Sequence, residues 1–483
     1  MTYLRSFASR SHVGVLPRRR VRSPGRAAAS DVSILSGAEA YWKASQYSGT
    51  GALLDLSGNA HHAQLGSTAG ADSNDPLPLG GLTTFGTVES KYIYLPGSAG
   101  NYLSTPDSAA LSITGDIDIR VAVAMSDWTP SGSQVLVAKF AESVGDGYEF
   151  YVRSDGLLAF SWEDAVGTIS TKLSTVVPTI ADGALLLIRA TLDVNNGAVG
   201  HDVKFFTKTS TEATARADAL SNSGWTQLGA TVTTAVTTSI KDGTPALNIG
   251  REDAGTSFFL SGKIYAAVIK SGIDGTTVFD LDPSVAVEPY ATFAEQSSNL
   301  ATVTINRSAT GRTTEVVDRP LFLAGPDDDF RLVASDVNFG TGPFTVAVCY
   351  RSYDSGAATP VHAGNGNGGT TGWDMLRVAG NEIRFTIRPA PAAAAIGPAA
   401  WTPGILAVHG GVRSATALTG YIDGTAGTPV GANNGDVTTA GPTRLMNYPG
   451  AQPTTGSFVA AAMFTRALSA AEMVQLAVEL KAA

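Results

Sequence analysis

The chain has 483 residues, of which 53 are glycine, and a formal net charge of −9. This length allows two or three domains, and abundant Gly, Thr, Ala and Ser favour turn-rich β structure over helical repeats or coiled coils. The single cysteine, Cys349, excludes an internal disulfide framework and a Cys-based zinc site, and its apolar surroundings predict a packed, inert thiol.

Residues 1–30 form a basic arm without any acidic residue, so the rest of the chain is more acidic than the average suggests. The arm lacks the apolar stretch of a secretory signal, although its composition is also compatible with a transit peptide. No apolar run in the chain is long enough to span a bilayer. We expect either a disordered leader or an anchoring arm that binds an acidic protein surface. Nucleic acid is disfavoured because the arm offers only Tyr3 and Phe7 for aromatic contacts. The arginines of the arm are Arg5, Arg10, Arg18, Arg19, Arg20, Arg22 and Arg26.

From Asp31 onward, short strand-like runs alternate with Gly, Asn, Asp and Pro. Ile117, Ile119, Val121 and Val123 fall on one face of a strand, and the opposite face is predicted to be largely polar. The run 185–188 is apolar on both faces and is predicted to lie centrally in its sheet. Further strands are predicted at 135–140, 148–153, 157–162, 203–207, 246–250 and 263–269.

The second half of the chain repeats this order of strands, which indicates a duplicated domain. Its final segment predicts a helix, because Ser469 and Glu472 form a capping box. Met473, Leu476, Ala477 and Leu480 then fall on one face, which we expect to pack on a sheet. The corresponding strands are predicted at 344–350, 373–378, 383–387, 405–412, 418–423 and 458–464.

Several motifs resemble a known family. Phe339-Gly340-Thr341-Gly342-Pro343-Phe344-Thr345-Val346 is similar to the opening of a LamG domain, and residues 463–472 are similar to the closing strand and helix of that family. Leu56-Ser57-Gly58-Asn59 resembles its first turn, and residues 260–265 resemble the end of a first copy. The resemblance is to LamG-type, concanavalin A-like jelly rolls of the kind carried by minor tail proteins of actinobacterial phages.

The resemblance implies an all-β chain with two tandem jelly-roll β-sandwiches after the basic arm. We predict a first domain over residues 31–283, a seam over 284–299 and a second domain over 300–483 with a short C-terminal helix.

Catalysis is not expected. Glycosidases with this fold place paired carboxylates at alternate positions of one strand, whereas Glu149 stands alone in its predicted strand. His61 and His62 are adjacent and would point in opposite directions along a strand, and His409 has no evident nucleophile or carboxylate partner nearby in sequence. The sequence therefore predicts a non-enzymatic protein.

Two kinds of ligand site are compatible with the sequence. Some LamG domains bind Ca²⁺ through hard oxygen ligands, so a calcium ion is a candidate cofactor, although Asp also favours turns for backbone reasons. The candidate calcium ligands are Asp327, Asp329, Asp423 and Asp436. Tryptophans near strand ends can stack on a sugar ring. The candidate glycan-binding residues are Trp128, Trp162, Trp373 and Trp401.

The resemblance implies a virion protein on the phage tail that binds a host-surface glycan, with the arm docked on other virion proteins. A homo-oligomer in the particle is expected, although no heptad repeat is present to drive it. The alternatives are a head fibre or capsid decoration protein, a free carbohydrate-binding protein, and a wall-degrading glycosidase.

Overall fold

A computed structural model describes residues 32–483, apart from the following positions. These are 50, 67, 69, 73–74, 142–144, 253–255, 309–310, 326–327, 329, 333–336, 354–360, 365–370, 379–381, 389–392, 399–400, 432–433, 439–441 and 447–454. The candidate arm arginines lie outside the described residues.

The strands fall into three consecutive groups along the chain. The first group is β1 (Ala40–Lys43), β2 (Ala52–Leu53), β3 (Ala63–Leu65) and β4 (Leu77–Leu79). The second group is β5 (Tyr92–Pro96), β6 (Tyr102–Thr105), β7 (Ile117–Met125), β8 (Gln134–Ala141), β9 (Gly145–Val152), β10 (Leu158–Glu163), β11 (Ile169–Leu173), β12 (Leu186–Asp193), β13 (His201–Lys208), β14 (Thr226–Gln227), β15 (Val232–Thr234), β16 (Leu247–Ile249), β17 (Ser261–Ser271), β18 (Thr276–Leu281), β19 (Thr292–Ala294), β20 (Thr302–Asn306) and β21 (Glu315–Val317).

The third group begins after residue 320. It consists of β22 (Leu321–Ala324), β23 (Phe330–Leu332), β24 (Phe344–Arg351), β25 (Val361–Gly364), β26 (Gly372–Val378), β27 (Glu382–Arg388), β28 (Ala393–Ile396), β29 (Ala407–Arg413), β30 (Ala417–Ile422), β31 (Thr425–Ala426), β32 (Val430–Gly431), β33 (Thr443–Leu445) and β34 (Gly456–Phe464). Two α-helices are present in the described residues, α1 (Ala215–Leu220) and α2 (Ala470–Lys481), together with 3-10 helices at Ile34–Gly37, Ala44–Gln46, Glu212–Thr214 and Pro283–Val285.

The first sandwich consists of two antiparallel sheets, here named 1a and 1b. Sheet 1a has the strand order β14-β13-β12-β7-β17-β5-β21, with β15 beside β13 and β18 beside β17. Sheet 1b has the order β11-β10-β9-β8-β16-β6-β20-β19. Side chains from both sheets share one core, which includes Ile119 and Val121 from sheet 1a and Phe150 and Phe160 from sheet 1b.

The second sandwich repeats this arrangement strand for strand. Sheet 2a has the order β31-β30-β29-β24-β34-β22-β4, with β32 beside β30 and β1 beside β34, and sheet 2b has the order β28-β27-β26-β25-β33-β23-β3-β2. Its core includes Val346 and Phe458 from sheet 2a and Trp373 and Phe385 from sheet 2b. The prediction of an all-β chain with two jelly-roll sandwiches is confirmed.

The two repeats exchange their first four strands. In the repeated order, β1–β4 of the first repeat correspond to β18–β21 of the second, yet β1 pairs with β34 and β18 pairs with β17. The first sandwich is therefore built from residues 92–317, and the second from residues 40–79 together with 321–464. The seam predicted at 284–299 falls inside the first sandwich, because β20 pairs with β6. The repeated order of strands in the sequence shows that a domain is duplicated. It does not show which of the two sandwiches a given strand joins.

An equivalent turn in each repeat supports this correspondence. In one copy, Asp55 accepts the backbone N–H groups of Tyr41 and Ser57 at 2.9 Å. In the other copy, Glu295 accepts those of Asp280 at 3.0 Å and Ser297 at 2.7 Å. The Leu-Ser-Gly-Asn element thus forms a turn, as predicted. The carboxylate of Asp55, directly before the element, bonds both the turn and the neighbouring strand β1.

The outer faces of sheets 1a and 2a are covered. Helix α2 begins at the predicted capping box, in which Ser469 and Glu472 bond reciprocally, and its four predicted apolar residues are buried. Helix α1 covers the outer face of sheet 1a. The sequence predicts a largely polar surface for this face of β7, and its polar residues Asp118 and Arg120 are instead buried beneath the helix. Arg120 bonds Asp118 at 2.7 Å and the carbonyl of Ser221 after α1 at 2.9 Å, which compensates both for burial.

Candidate ligand-binding site

A cleft of about 510 Å³ lies beside sheet 1a, and we name it the acid-lined cleft. Three segments form it: the 80–91 connection between the sandwiches, the loop before β12 and the loop after β13. This volume is in the range of small-molecule sites. The lining residues are Leu82, Thr83, Glu89, Asp182, Gly183, Ala184, Leu185, Ser210, Thr211 and Glu212.

Glu212 anchors the floor of the cleft and is only 3% exposed. Its Oε1 accepts the Leu82 N–H at 2.7 Å and the Tyr265 hydroxyl at 2.8 Å. Burial, followed by the charge of Glu212, raises the pKa of Tyr265, so its hydroxyl remains a donor. Oε2 of Glu212 receives no hydrogen bond from the described residues.

A half-buried lysine balances part of this charge. Lys263 donates to the carbonyl of Gly80 at 3.1 Å and lies over the Tyr92 ring at 5.0 Å. Burial lowers the pKa of Lys263, while Glu212 opposes that shift. Asp182 lies at the mouth of the cleft, and its Oδ1 accepts the backbone N–H of Trp128 at 2.8 Å.

A second unusual group lies on the outer face of sheet 1b. Tyr148 and Phe150 point into the core, so Glu149 points outward. There it meets Glu252 from the loop after β16, and the two carboxyl groups share a hydrogen bond. Burial, and then the charge of Glu252, raises the pKa of Glu149 to about 8.

The four candidate tryptophans are all buried. Trp162 and Trp373 are 0% exposed, and Trp128 and Trp401 are each 4% exposed. The indole of Trp162 bonds Thr238 at 3.0 Å, and that of Trp401 bonds the Ile405 carbonyl at 3.1 Å. Large aromatic side chains fill the cores of both sandwiches, so none of these rings offers a face for stacking on a sugar.

The candidate calcium ligands do not converge in the described residues. Asp327 and Asp329 lie outside the described residues. Asp423 accepts the Val408 N–H and the Lys481 ammonium, both at 2.8 Å. Asp436 accepts the backbone N–H of Thr438 at 2.9 Å. Within the described ranges, no group of three or more acidic, His or Cys side chains is placed to hold a metal ion.

The histidines and the cysteine occupy structural positions. His61 contacts Glu39 at 3.2 Å, and Nδ1 of His62 accepts the Asp55 N–H at 3.1 Å. Burial, helped by Lys481 and Arg377, lowers the pKa of His409 to about 3. Burial raises the pKa of Cys349 to about 12, in keeping with an unreactive thiol.

Neither the Glu149–Glu252 pair nor the Glu212 site is predicted from the sequence. The alternation of β9 places Glu149 on the outer face, but its partner follows a hundred residues later in a loop. Glu212 stands in a polar stretch, and only the fold places it beneath the 80–91 connection. No helix in the described part of the chain is long and apolar enough to cross a membrane.

The chain matches no known protein family and no curated protein by sequence. Among solved structures, it is similar to domains LG4-5 of the mouse laminin alpha1 chain, with 11% identity, a TM-score of 0.29, and 78% of this chain and 91% of that one covered. A putative carbohydrate-binding protein from Bacteroides ovatus matches with 10% identity and a TM-score of 0.32, covering 48% of this chain and 61% of the other. Domain 4 of the arabinanase AbnA from Geobacillus stearothermophilus, in complex with arabinotriose, matches with 14% identity and a TM-score of 0.29, covering 40% of this chain and 96% of that domain.

Proposed function

We propose that this chain is a non-enzymatic carbohydrate-binding protein of a phage particle, most simply a minor tail protein that attaches to a cell-wall glycan of its host. The sequence resemblance to LamG-bearing tail proteins supports the setting, and the acid-lined cleft supports the binding role. In this proposal the arm of residues 1–30 anchors the chain to other virion proteins.

The observation that carries the binding role is the composition of the cleft. The lining contains three residues with hydroxyl groups, Thr83, Ser210 and Thr211, together with apolar residues that include Leu185. Hydroxyl groups both donate and accept hydrogen bonds, which suits the alternating hydroxyls of a sugar. Apolar walls with a few fixed polar groups are typical of small-ligand sites.

Binding without hydrolysis is consistent with the carboxylate pair on sheet 1b. Glycosidases need their two carboxyl groups about 5–9.5 Å apart, so that a nucleophile or a water can act across the scissile bond. Glu149 and Glu252 instead share a hydrogen bond, which leaves no such space between them.

The binding role is tested by filling the cleft. Ala184→Trp places an indole within the lining, and we expect it to abolish binding of the purified protein to isolated actinobacterial cell wall in a sedimentation assay. Val166→Trp is the matched control, because Val166 is 86% exposed on a turn and does not line the cleft. Equal binding by both variants would refute the cleft as the glycan site.

The virion role is tested by immunogold electron microscopy with antibody against residues 321–483. Label on the tail is expected, whereas label over the head would indicate a capsid fibre, and unlabelled particles would indicate a free binding protein. Deletion of residues 1–30 should abolish incorporation while melting is unchanged, since every described strand lies beyond residue 39.

A further inference from the structure

Glu212 is a buried carboxylate of which one oxygen has no hydrogen-bond donor among the described residues. Its Oε1 is saturated by Leu82 and Tyr265, whereas Oε2 has no donor among the described residues. A carboxylate removed from water in this way is costly unless its oxygens are hydrogen-bonded or paired with a cation. Glu212 lines the acid-lined cleft, but Oε2 itself has almost no solvent-exposed surface, so a ligand in the cleft supplies the missing donor only by displacing the groups that cover this oxygen.

The charge of the cleft indicates a cationic donor. Among the lining residues, all of which the structure describes, Glu89, Asp182 and Glu212 bear carboxylates and none is basic. Lys263 acts on Glu212, but its ammonium already donates to Gly80 and lies over an aromatic ring. The cleft therefore carries an excess of negative charge, which favours a positively charged ligand over a neutral one.

The geometry selects among cations. A guanidinium binds a carboxylate best through two parallel hydrogen bonds, which require both oxygens, and in Glu212 only Oε2 lacks a donor among the described residues. A metal ion would need several convergent oxygen ligands, and no such group is present in the described residues. An ammonium group is a compact donor that needs one oxygen, so it suits Oε2 best.

We propose that the acid-lined cleft binds the ammonium group of a hexosamine whose amine is not acetylated, with Glu212 Oε2 as its acceptor. The sugar hydroxyls would contact Ser210 and Thr211, while Asp182 adds attraction at the mouth of the cleft. This inference rests on the proposed carbohydrate-binding function and names the sugar class of that same site.

The test is calorimetric titration of the full chain with D-glucosamine, N-acetyl-D-glucosamine and D-glucose. Glucosamine should bind at least about 10-fold more tightly than either neutral sugar, because acetylation removes the charge that Glu212 pairs with. Raising the salt concentration should weaken binding of glucosamine most, since the outer carboxylates act through solvent.

Two variants assign the contact. Glu212→Gln keeps an oxygen that can accept from Leu82 and Tyr265 but removes the charge, so glucosamine affinity should fall at least about 10-fold. Asp182 is exposed, so Asp182→Asn should cause a smaller loss of glucosamine affinity without affecting folding. Asp242→Asn removes the same charge from an exposed position outside the cleft and should leave affinity unchanged. Melting curves identify any variant that has lost its fold. If Glu212→Gln does not fold, the glucosamine affinity of Asp182→Asn tests the role of the carboxylates instead.

Other outcomes would overturn the inference. Equal binding of glucosamine and N-acetylglucosamine would contradict ammonium recognition while leaving carbohydrate binding intact. Binding of lysine amide as tight as that of glucosamine would assign the cleft to a protein amine rather than a sugar. If the chain binds the cell wall but not glucosamine, the inference fails and the proposed function stands; if it binds neither, both fail.

Discussion

The guanidinium of Arg351 donates a 2.8 Å hydrogen bond to Glu315, and the two residues come from different sandwiches. Arg351 ends β24 of the second sandwich, and Glu315 begins β21 of the first. Their side chains are 1% and 0% exposed, and Glu315 also accepts the hydroxyls of Tyr353 and Ser457. A second hydrogen bond joins Arg351 to Glu288 at 2.8 Å. This buried pair fixes the junction at the point where residues 318–320 pass between the sandwiches.

Breaking this pair should be strongly destabilising. Arg351→Met leaves Glu315 charged and buried without its cation, and such a loss costs about 3–5 kcal/mol. Urea unfolding measures the change. The double variant Arg351→Met with Glu315→Leu should recover part of the loss, because it removes both charges. The exposed pair of Arg153 and Asp155 is the control, and Asp155→Asn should leave the midpoint unchanged. A similar midpoint for wild type and Arg351→Met would show that the junction does not depend on the pair.

Stability should fall between pH 4.5 and 8 because of Glu149. Its pKa rises from an ordinary value of 4.5 to about 8 in the folded protein. The folded chain thus holds a proton that the unfolded chain has released over this range, so rising pH favours unfolding. Melting temperatures across pH 4–9 test this expectation. Glu149→Gln should flatten the dependence, and an unchanged slope in that variant would contradict the assignment.

His409 should act in the opposite direction at acidic pH. Its pKa falls from 6.5 to about 3 on folding, since the ring is fully buried against Tyr350 and Trp401. The unfolded chain gains a proton between these values and the folded chain does not, so stability is lost as pH decreases from 6.5 toward 3. His409→Phe should reduce this loss, as measured by melting at pH 4 relative to pH 7. A variant as acid-sensitive as wild type would refute this role.

The exchange of strands makes a prediction about fragments. Residues 92–317 contain every strand of the first sandwich and should fold alone, with cooperative melting by circular dichroism. Residues 318–483 lack β1–β4 and should remain unfolded until a peptide of residues 34–79 is added. The contrasting fragment is residues 31–283, the domain expected from the sequence. Cooperative folding of that fragment would mean that each repeat can keep its own first strands.

The sequence was most informative where local physics decides the structure. The alternation around Ile119 and Val121, the capping box at Ser469 and the turn at Asp55 all depend on neighbouring residues, and each has its expected form. The pairing of Lys43 with Ala460 depends instead on which of two similar edges a strand joins, and this preference leaves no local trace. The cleft was missed for the same reason, because Leu82, Asp182 and Glu212 meet only in the fold.

The strand exchange also orders events during synthesis. β1 leaves the ribosome before its partner β34, and Lys43 and Gly456 are separated by the entire first sandwich. At about 5–20 residues per second, this separation corresponds to a delay of about 20–80 s. Residues 92–317 have all their partners long before β34 emerges, so the inserted sandwich can fold first while β1–β4 wait with unpaired edges. The strands β22–β34 then pair with β1–β4 and complete the second sandwich beside the first, which has already folded. A ribosome-bound chaperone that shields residues 40–79 would act in the interval before this pairing.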